Sequence, residues 1–511
     1  MGIPSYYRTL VRQYPHLNRS NSKPVDWLWM DYNCLIYHCL RRPGIRPCPS
    51  AREEQVAWER ALIKEILLYT QKVVGLVKPA KGVYIGIDGV VPMAKMKQQR
   101  LRRFKSAWTA DVALATPVTA GVASATPVTP VTTVTAASWN TNAITPGTAF
   151  MDLLRRSLEA RKGWTVSSSD EPGEGEHKVM AHLRNQKVPG HHVIYGLDAD
   201  LVILSLLTQD TLLRSGTEHS ISLFREAVEM GALKRDAEGE EVFEWFAIDV
   251  LRDILAKSVS VRDYCFAMTL LGNDFLPSSL SFKLRDGAHD ELLKLLPLCP
   301  RLLKADDTVS AEGLSVLLIR FSSLEEYRTG RFLQRKAMQA IPPVPVGDEK
   351  WPLGEQAEAF LLSHTRLVPH WRSLYRTTFP SSTAQYLSGL QWVWDYYRGL
   401  DVCYNWFYPW ALPPLWSDLG GDLKRRLPFL PLSPPIALRK EAISTSEQLC
   451  LVLPPSSYYL IRSAKHRTLP TLAPEWFPAE FSFDSVGKQW FWECEAEIPI
   501  PSILDVKRIL G

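Results

Sequence analysis

No apolar run in the 511 residues reaches the roughly 18 needed to span a membrane, so a membrane protein is not expected. The opening MGIPSYYRTLVRQYP lacks the apolar stretch of a signal peptide. Tyr6 stands where a myristoylation signal would need Ser or Thr. None of the eight cysteines falls in a CxxC pair, which argues against a zinc ribbon or a disulfide frame and for a reducing compartment. A cytoplasmic location is expected, with a nuclear one the alternative. Charge of one sign is also scarce. The net value is only +5, so any affinity for nucleic acid must come from local patches. What remains is an ordinary globular composition, 46% hydrophobic and 22% charged, long enough for two or three packed modules.

Acidic residues stand out within it, in short phrases: Asp31 in LWMDYN, Asp88 in VYIGIDGV, Glu174 and Glu176 in PGEGEH, Asp198 and Asp200 in YGLDAD, and Asp274 in LLGNDF. The apolar runs DWLWM, VYIGI and HHVIYGL read as buried strands that end at Asp31, Asp88 and the DAD pair. In an open α/β sheet, ligands bind at the carboxyl ends of strands, so these acids fall on the edge where a site forms. A lone strand-end Asp is usually a turn or helix-cap residue. A set is different, because clustered carboxylates raise one another's pKa values unless cations compensate. Mg²⁺ or Mn²⁺, which prefer oxygen ligands, are the natural compensation. In extended chain Asp198 and Asp200 point to one side and can reach one ion. Glu174 and Glu176 sit at a helix entry, since two residues apart on a helix would point about 200° away from each other.

Behind Asp88 comes GVVPMAKMKQQRLRRFKSAW. Pro92 suits a helix start. Lys95, Gln99, Arg102 and Arg103 then follow at i, i+4, i+7 and i+8, one face bearing three cations and an amide. Arg forks and a Lys point charge suit a terminal phosphate. Phe104 and Trp108 are placed to anchor this helix to the body.

Residues 1–290 read as one α/β unit, interrupted at 110–137 by a low-complexity insertion in which ATPVT occurs twice. Residues 291–370 read as a helical and irregular connector with a Pro-rich bend, and 371–511 as a second core region packing on the first. LQWVWDYYRGLDVCYNWFYPWALPPLWSDL concentrates aromatics there, which suits core packing or a base-stacking ring.

Taken together these phrases resemble the XRN family of 5′→3′ exoribonucleases. The likeness runs through MGIP, DYNCLIYH, IDGVVPMAKMKQQRLRRFKSA, NAITPGTAFM, PGEGEHKVM, YGLDADLVIL and LLGNDFLP. It resumes at HWRSLYRTTF, GLQWVWDYYRG and NWFYPWALPPLWSDL and continues to the C-terminal EFSFDSVGKQWFWECEAEIPIPSILDVKRIL. The resemblance implies an α/β fold of PIN/flap-endonuclease type, a mainly parallel sheet flanked by helices with a packed aromatic-rich C-terminal region. It implies a processive exoribonuclease that takes single-stranded RNA with a 5′-monophosphate and releases nucleoside monophosphates. A flap or structure-specific DNA endonuclease of the same superfamily is the alternative. The family's metal ligands fall on Asp31, Asp88, Glu174, Glu176, Asp198, Asp200 and Asp274, which would hold two ions, Mg²⁺ or Mn²⁺, for two-metal hydrolysis. Its 5′-phosphate pocket falls on Lys95, Gln99, Arg102 and Arg103. Tyr37 takes the place of the family's stacking His, with His38 beside it. Trp406 is expected to stack opposite Tyr37, with Trp410 or Trp416 as substitutes. A compact, monomeric member carrying the catalytic core alone is expected, without further domains.

Overall fold

The computed structural model describes residues 3, 5–18, 23–42, 44–49, 51–115, 139–185, 189–216, 218–229, 232–338, 359–363, 366–426, 438–488 and 490–511. Most of the expected insertion at 110–137, and the Pro-rich bend within 339–358, lie outside these residues.

A six-stranded sheet organises the N-terminal half. Its strands are β1 (Trp27–Asp31), β2 (Gly82–Gly86), β3 (Trp164–Ser167), β4 (Gly190–Tyr195), β5 (His219–Glu226) and β6 (Phe243–Ala247). They lie in the order β3-β2-β1-β4-β5-β6. All neighbours are parallel except β5 and β6. The fold class is therefore α/β with a mainly parallel sheet, as the alternation of strands and helices indicated.

The strands read as continuous apolar runs because both faces of the sheet are covered. Trp29, Tyr84 and Ile194 face one core, and Leu28, Met30, Val83, Ile85 and Val193 the other. The first core is much the larger. It takes in Tyr386, Trp392 and Trp394 from the aromatic stretch and reaches Ile503 and Val506 near the C-terminus. Part of the last third thus shares the core of one sheet face, while Trp371, Tyr375 and Leu415 belong to a separate cluster. Among the described residues no helix is long and apolar enough to cross a membrane.

The helices used below are α1 (Asn33–Leu40), α2 (Met93–Ala115), α3 (Gly175–Asn185), α4 (Leu201–Arg214), α5 (Val261–Met268), α6 (Ala311–Ala337) and α7 (Thr383–Arg398). Helix α2 starts just after Pro92 and runs on through Ala115, into the first residues of the expected insertion. Phe104 and Trp108 anchor it as expected. Phe104 is buried near Phe477 and Phe481, and Trp108 meets Phe483 edge-on at 4.9 Å. Between these rings Arg100, fully buried, donates to the carbonyls of Pro499 and Leu451 at 3.0 and 2.7 Å and to that of Trp476. One face of α2 is in this way bound to the C-terminal region, which leaves the Lys95 face to the site.

Candidate active site

Parallel strands deliver their acids to one edge. Asp31 is the last residue of β1, and Asp88 lies two residues beyond β2. Glu174 follows β3 and immediately precedes α3, with Glu176 in that helix's first turn. Asp198 and Asp200 lie between β4 and α4. Asp274 arrives from further along the chain, beyond α5 and the 3-10 turn Thr269–Leu271.

Close backbone approach makes the cluster compact. A Cβ added to Gly175 would stand 2.6 Å from the Gly86 carbonyl and 2.8 Å from Asp31 Oδ1. The PGEGEH glycine therefore lets the α3 N-terminus meet β2 and Asp31 without a side chain between them. The Gly175 amide uses that closeness to donate to Asp88 Oδ1 at 2.7 Å. Asn33 fixes the other oxygen of Asp88, donating to Oδ2 at 2.8 Å while its own Oδ1 accepts from the Asp88 amide at 3.2 Å.

Lys95 enters the middle of this group. Its ammonium lies 2.6 Å from Glu174 Oε2 and 2.7 Å from Asp274 Oδ2. Tyr396 of α7 donates to the remaining Glu174 oxygen at 2.8 Å. One cation does not balance the whole set. Burial, then the charges of Asp88, Asp198 and Asp200, hold Asp31 well above the usual carboxylate range. Burial, with Asp200 and Glu174 nearby, does the same to Glu176. Asp200 is pushed up to about 7, by burial first and by Asp198 and Asp274 next.

The donor chemistry fits a divalent cation. Glu176 Oε2 and Asp200 Oδ1 are buried without a hydrogen-bond partner, and such orphaned oxygens call for a cation. Ligand atoms of Glu174, Glu176 and His177 lie within 4.8 Å of one another. His177 was not among the residues singled out from sequence. Burial keeps its imidazole neutral, with its pKa well below the ordinary value, and its ring lies 4.0 Å from that of Tyr396.

The basic face of α2 divides by depth. Lys95 belongs to the carboxylate group, as above. Gln99 and Arg103 are buried further along the same face, each with a polar atom lacking a partner, Oε1 and Nη1 respectively. Arg102 is exposed. Burial draws Arg103 down to about 10, and the nearby Tyr37 and Asp88 act the other way. Tyr37 of α1 is therefore a neighbour of the Arg103 guanidinium.

The candidate stacking rings lie on different cores. Tyr37 packs on the core beneath Leu28 and Met30, and Trp406 on the core that holds Trp29. Trp406 is half-buried and lies 4.9 Å from Trp392, which in turn stacks on Tyr396 at 5.1 Å. Trp416 is corrected as a substitute. It is fully buried and donates to Ser281 Oγ at 3.0 Å, so no base can reach it. Trp410, by contrast, is half-buried and lines a cleft with Phe407 and Asp274.

Residues 1–215 match the family model described as XRN 5′-3′ exonuclease N-terminus. Among curated relatives, the chain is 30% identical over 398 residues to 5′-3′ exoribonuclease 2 of Eremothecium gossypii, an alignment covering 64% of this chain and 41% of that protein. It is 26% identical over 609 aligned positions to 5′-3′ exoribonuclease 1 of Homo sapiens, covering 100% of this chain and 34% of the relative. The corresponding figures for 5′-3′ exoribonuclease 2 of Saccharomyces cerevisiae are 29% identity, 64% of this chain and 39% of the relative. The chain spans less than half the length of each.

Proposed function

We propose that the chain is a member of the XRN family and a processive 5′→3′ exoribonuclease acting on single-stranded, 5′-monophosphorylated RNA, a reading supported by its likeness to that family. The carrying observation is the convergence of buried carboxylates on Lys95, which pairs with Glu174 and Asp274, with buried oxygens of Glu176 and Asp200 left without partners. Asp31, Asp88 and Glu174 would hold one Mg²⁺ or Mn²⁺ ion, and Asp198, Asp200 and Asp274 a second, with Glu176 between them. Bound ions of this kind supply a hydroxide near neutral pH and stabilise charge on the leaving oxygen.

The chain's own residues do the rest. Tyr396 and Lys95 hold the two Glu174 oxygens in fixed directions, and Asn33 with the Gly175 amide does so for Asp88. Arg103 receives the 5′-phosphate through its unpartnered Nη1, with the side-chain N–H of Gln99 and, at the surface, Arg102 as further donors. Lys95 lies within reach of both the acidic group and that phosphate, and neutralises charge on whichever is less compensated. Tyr37, beside Arg103, would stack on the first base, and Trp406 would support a base further along.

The test is an end-labelled RNA and its DNA counterpart, each with 5′-hydroxyl, monophosphate, triphosphate or cap, incubated with Mg²⁺ and resolved by product size. Mononucleotides from the monophosphorylated RNA are expected. Discrete internal fragments from branched DNA would instead identify an endonuclease.

A further inference from the structure

A cationic recess lies beside the candidate active site and uses none of its residues. Lys283, Arg285, Arg335 and Lys336 line it together with Asp286, Phe332 and Gly487, around about 400 Å³. Two separate stretches supply the charge. Lys283 and Arg285 belong to the 3-10 turn Leu284–Asp286 and its N-terminal flank, and Arg335 and Lys336 to the last turn of α6. Gly487, at φ +73°, brings bare backbone up to them, so that a Cβ there would be 3.1 Å from Lys283 Nζ.

Four cations of the recess meet two carboxylates. Asp286 pairs with Arg335 at 2.7 Å, and Glu493 pairs with Arg285. Lys283 meets neutral groups, donating to Ser278 Oγ at 3.2 Å and lying 5.1 Å over the Phe332 ring. Lys283 and Lys336 are both buried, at 8% and 2% exposure. Burial draws Lys283 down to about 7, helped by the like charges of Lys488 and Arg285 and opposed by Glu493 and Asp286, and draws Lys336 down to about 8 against Glu493. A buried ammonium among like charges is costly, and an anion with several acceptor oxygens relieves that cost. Arg335 and Lys336 also offset the carbonyl end of α6. That role does not extend to Lys283, which is not on the helix.

The neighbourhood indicates which anion. Ser278, the partner of Lys283, and Lys488, next in sequence to Gly487, both line the cleft of about 650 Å³ that Asp274, Lys97 and Trp410 also line. The recess therefore adjoins the cleft in which hydrolysis would release a phosphomonoester. We propose that the recess binds a terminal, dianionic phosphate group, held by the buried Lys283 and Lys336 with Arg285 and Arg335 at its rim. The choice of a nucleotide as its source rests on the function proposed above, whereas the anion site itself does not.

Calorimetric titration of the full chain, without added metal, tests this with two probes, adenosine 5′-monophosphate and inorganic phosphate. Two binding events are expected for the parent with the nucleotide. Arg103→Ala should keep the recess event, and Lys283→Met/Lys336→Met should weaken it at least tenfold while keeping the other. Tighter nucleotide than phosphate binding at the recess identifies the released mononucleotide as occupant, and equal binding identifies the phosphate group alone as the determinant. Undiminished recess binding in a folded Lys283→Met/Lys336→Met variant overturns the proposal. Should that variant not fold, Lys283→Gln carries the test and must lower phosphate affinity at least fivefold. Failure of the RNA digestion assay with recess binding intact would refute only the proposed function, and the reverse result only the recess.

Discussion

Tyr396 donates its hydroxyl to Glu174 Oε1 at 2.8 Å, joining residues 222 apart in the chain. The contact is the inner end of a column of rings, Trp406 on Trp392 on Tyr396, with Phe275 edge-on to the last two at 5.3 and 5.4 Å. The aromatic C-terminal region thus reaches the acidic group through the Tyr396 hydroxyl.

Tyr396→Phe removes that oxygen and leaves the column intact. A hydrogen bond to a charged group contributes about 1.5–3 kcal/mol. Turnover should fall about tenfold or more, since ~1.4 kcal/mol is a factor of ten. RNA affinity and melting temperature should stay close to the parent. A loss confined to thermal stability, with kcat and KM unchanged, would give Tyr396 a packing role only.

Glu176→Ala and Asp198→Ala should each lower turnover by orders of magnitude while RNA binding persists. Glu176 is buried with one oxygen unpartnered, so its removal should not unfold the chain and should relieve repulsion on Asp200. Full activity in either variant, measured on monophosphorylated RNA, would remove that residue from the metal set.

Arg103→Ala should narrow the preference for 5′-phosphorylated over 5′-hydroxyl RNA. The guanidinium is buried beside Tyr37 with Nη1 lacking a partner, a placement suited to an incoming oxyanion. The ratio of kcat/KM values for the two RNAs reads this directly. An unchanged ratio would place phosphate selection on other residues.

The acidic group ties stability to pH. Asp200 is held near 7 in the folded chain, against about 3.9 for an unfolded Asp. A raised carboxyl stabilises the fold while protonated, and that contribution is lost as pH rises from about 4 through 7. Without divalent metal the melting temperature should therefore decline between pH 5.5 and 8 more steeply than with Mg²⁺, which favours the ionised form. Asp200→Asn should flatten the metal-free profile. Parallel profiles with EDTA and with Mg²⁺ would dissociate Asp200 from any metal site.

Trp406→Ala should shorten the run of nucleotides released per encounter more than it slows release of the first. The ring rests on Trp392 and lies close to Gly389, where an added Cβ would be 2.8 Å from it. Some fall in melting temperature is expected from the lost packing. Product-length distributions decide the matter, because a uniform slowing on every substrate would make Trp406 a core residue alone.

Much of this arrangement was legible from periodicity. DWLWM, VYIGI and HHVIYGL fall on β1, β2 and β4, and the acids after them arrive at one edge because the strands are parallel. Spacing on α2 put Lys95, Gln99, Arg102 and Arg103 on one face, and the structure buries Gln99 and Arg103 while leaving Arg102 exposed. Spacing gave direction and not depth, so the pairing of Lys95 with Glu174 and Asp274, one partner from each of two distant loops, was not visible in it. Tyr396, Asn33 and His177 were missed for the same reason. Only the EH of PGEGEH hinted at His177, and nothing local ties a Tyr in WDYYRG to Glu174. Aromatic density likewise announced a core without separating the buried Trp416 from the half-buried Trp406 and Trp410.

The scatter of the site along the chain also sets when it can exist during synthesis. Six of the seven carboxylates have been made once residue 200 is added, yet Asp274 and then Tyr396 are still to come. Asp31 and Asp88 wait for Gly175, whose amide and missing side chain let the α3 N-terminus close on them. A ribosome translating this protein thus carries a nascent chain whose acidic group stays incomplete until Asp274 and the ring column have followed the sheet out of the exit tunnel, so the site is completed well after the strands that carry most of its acids.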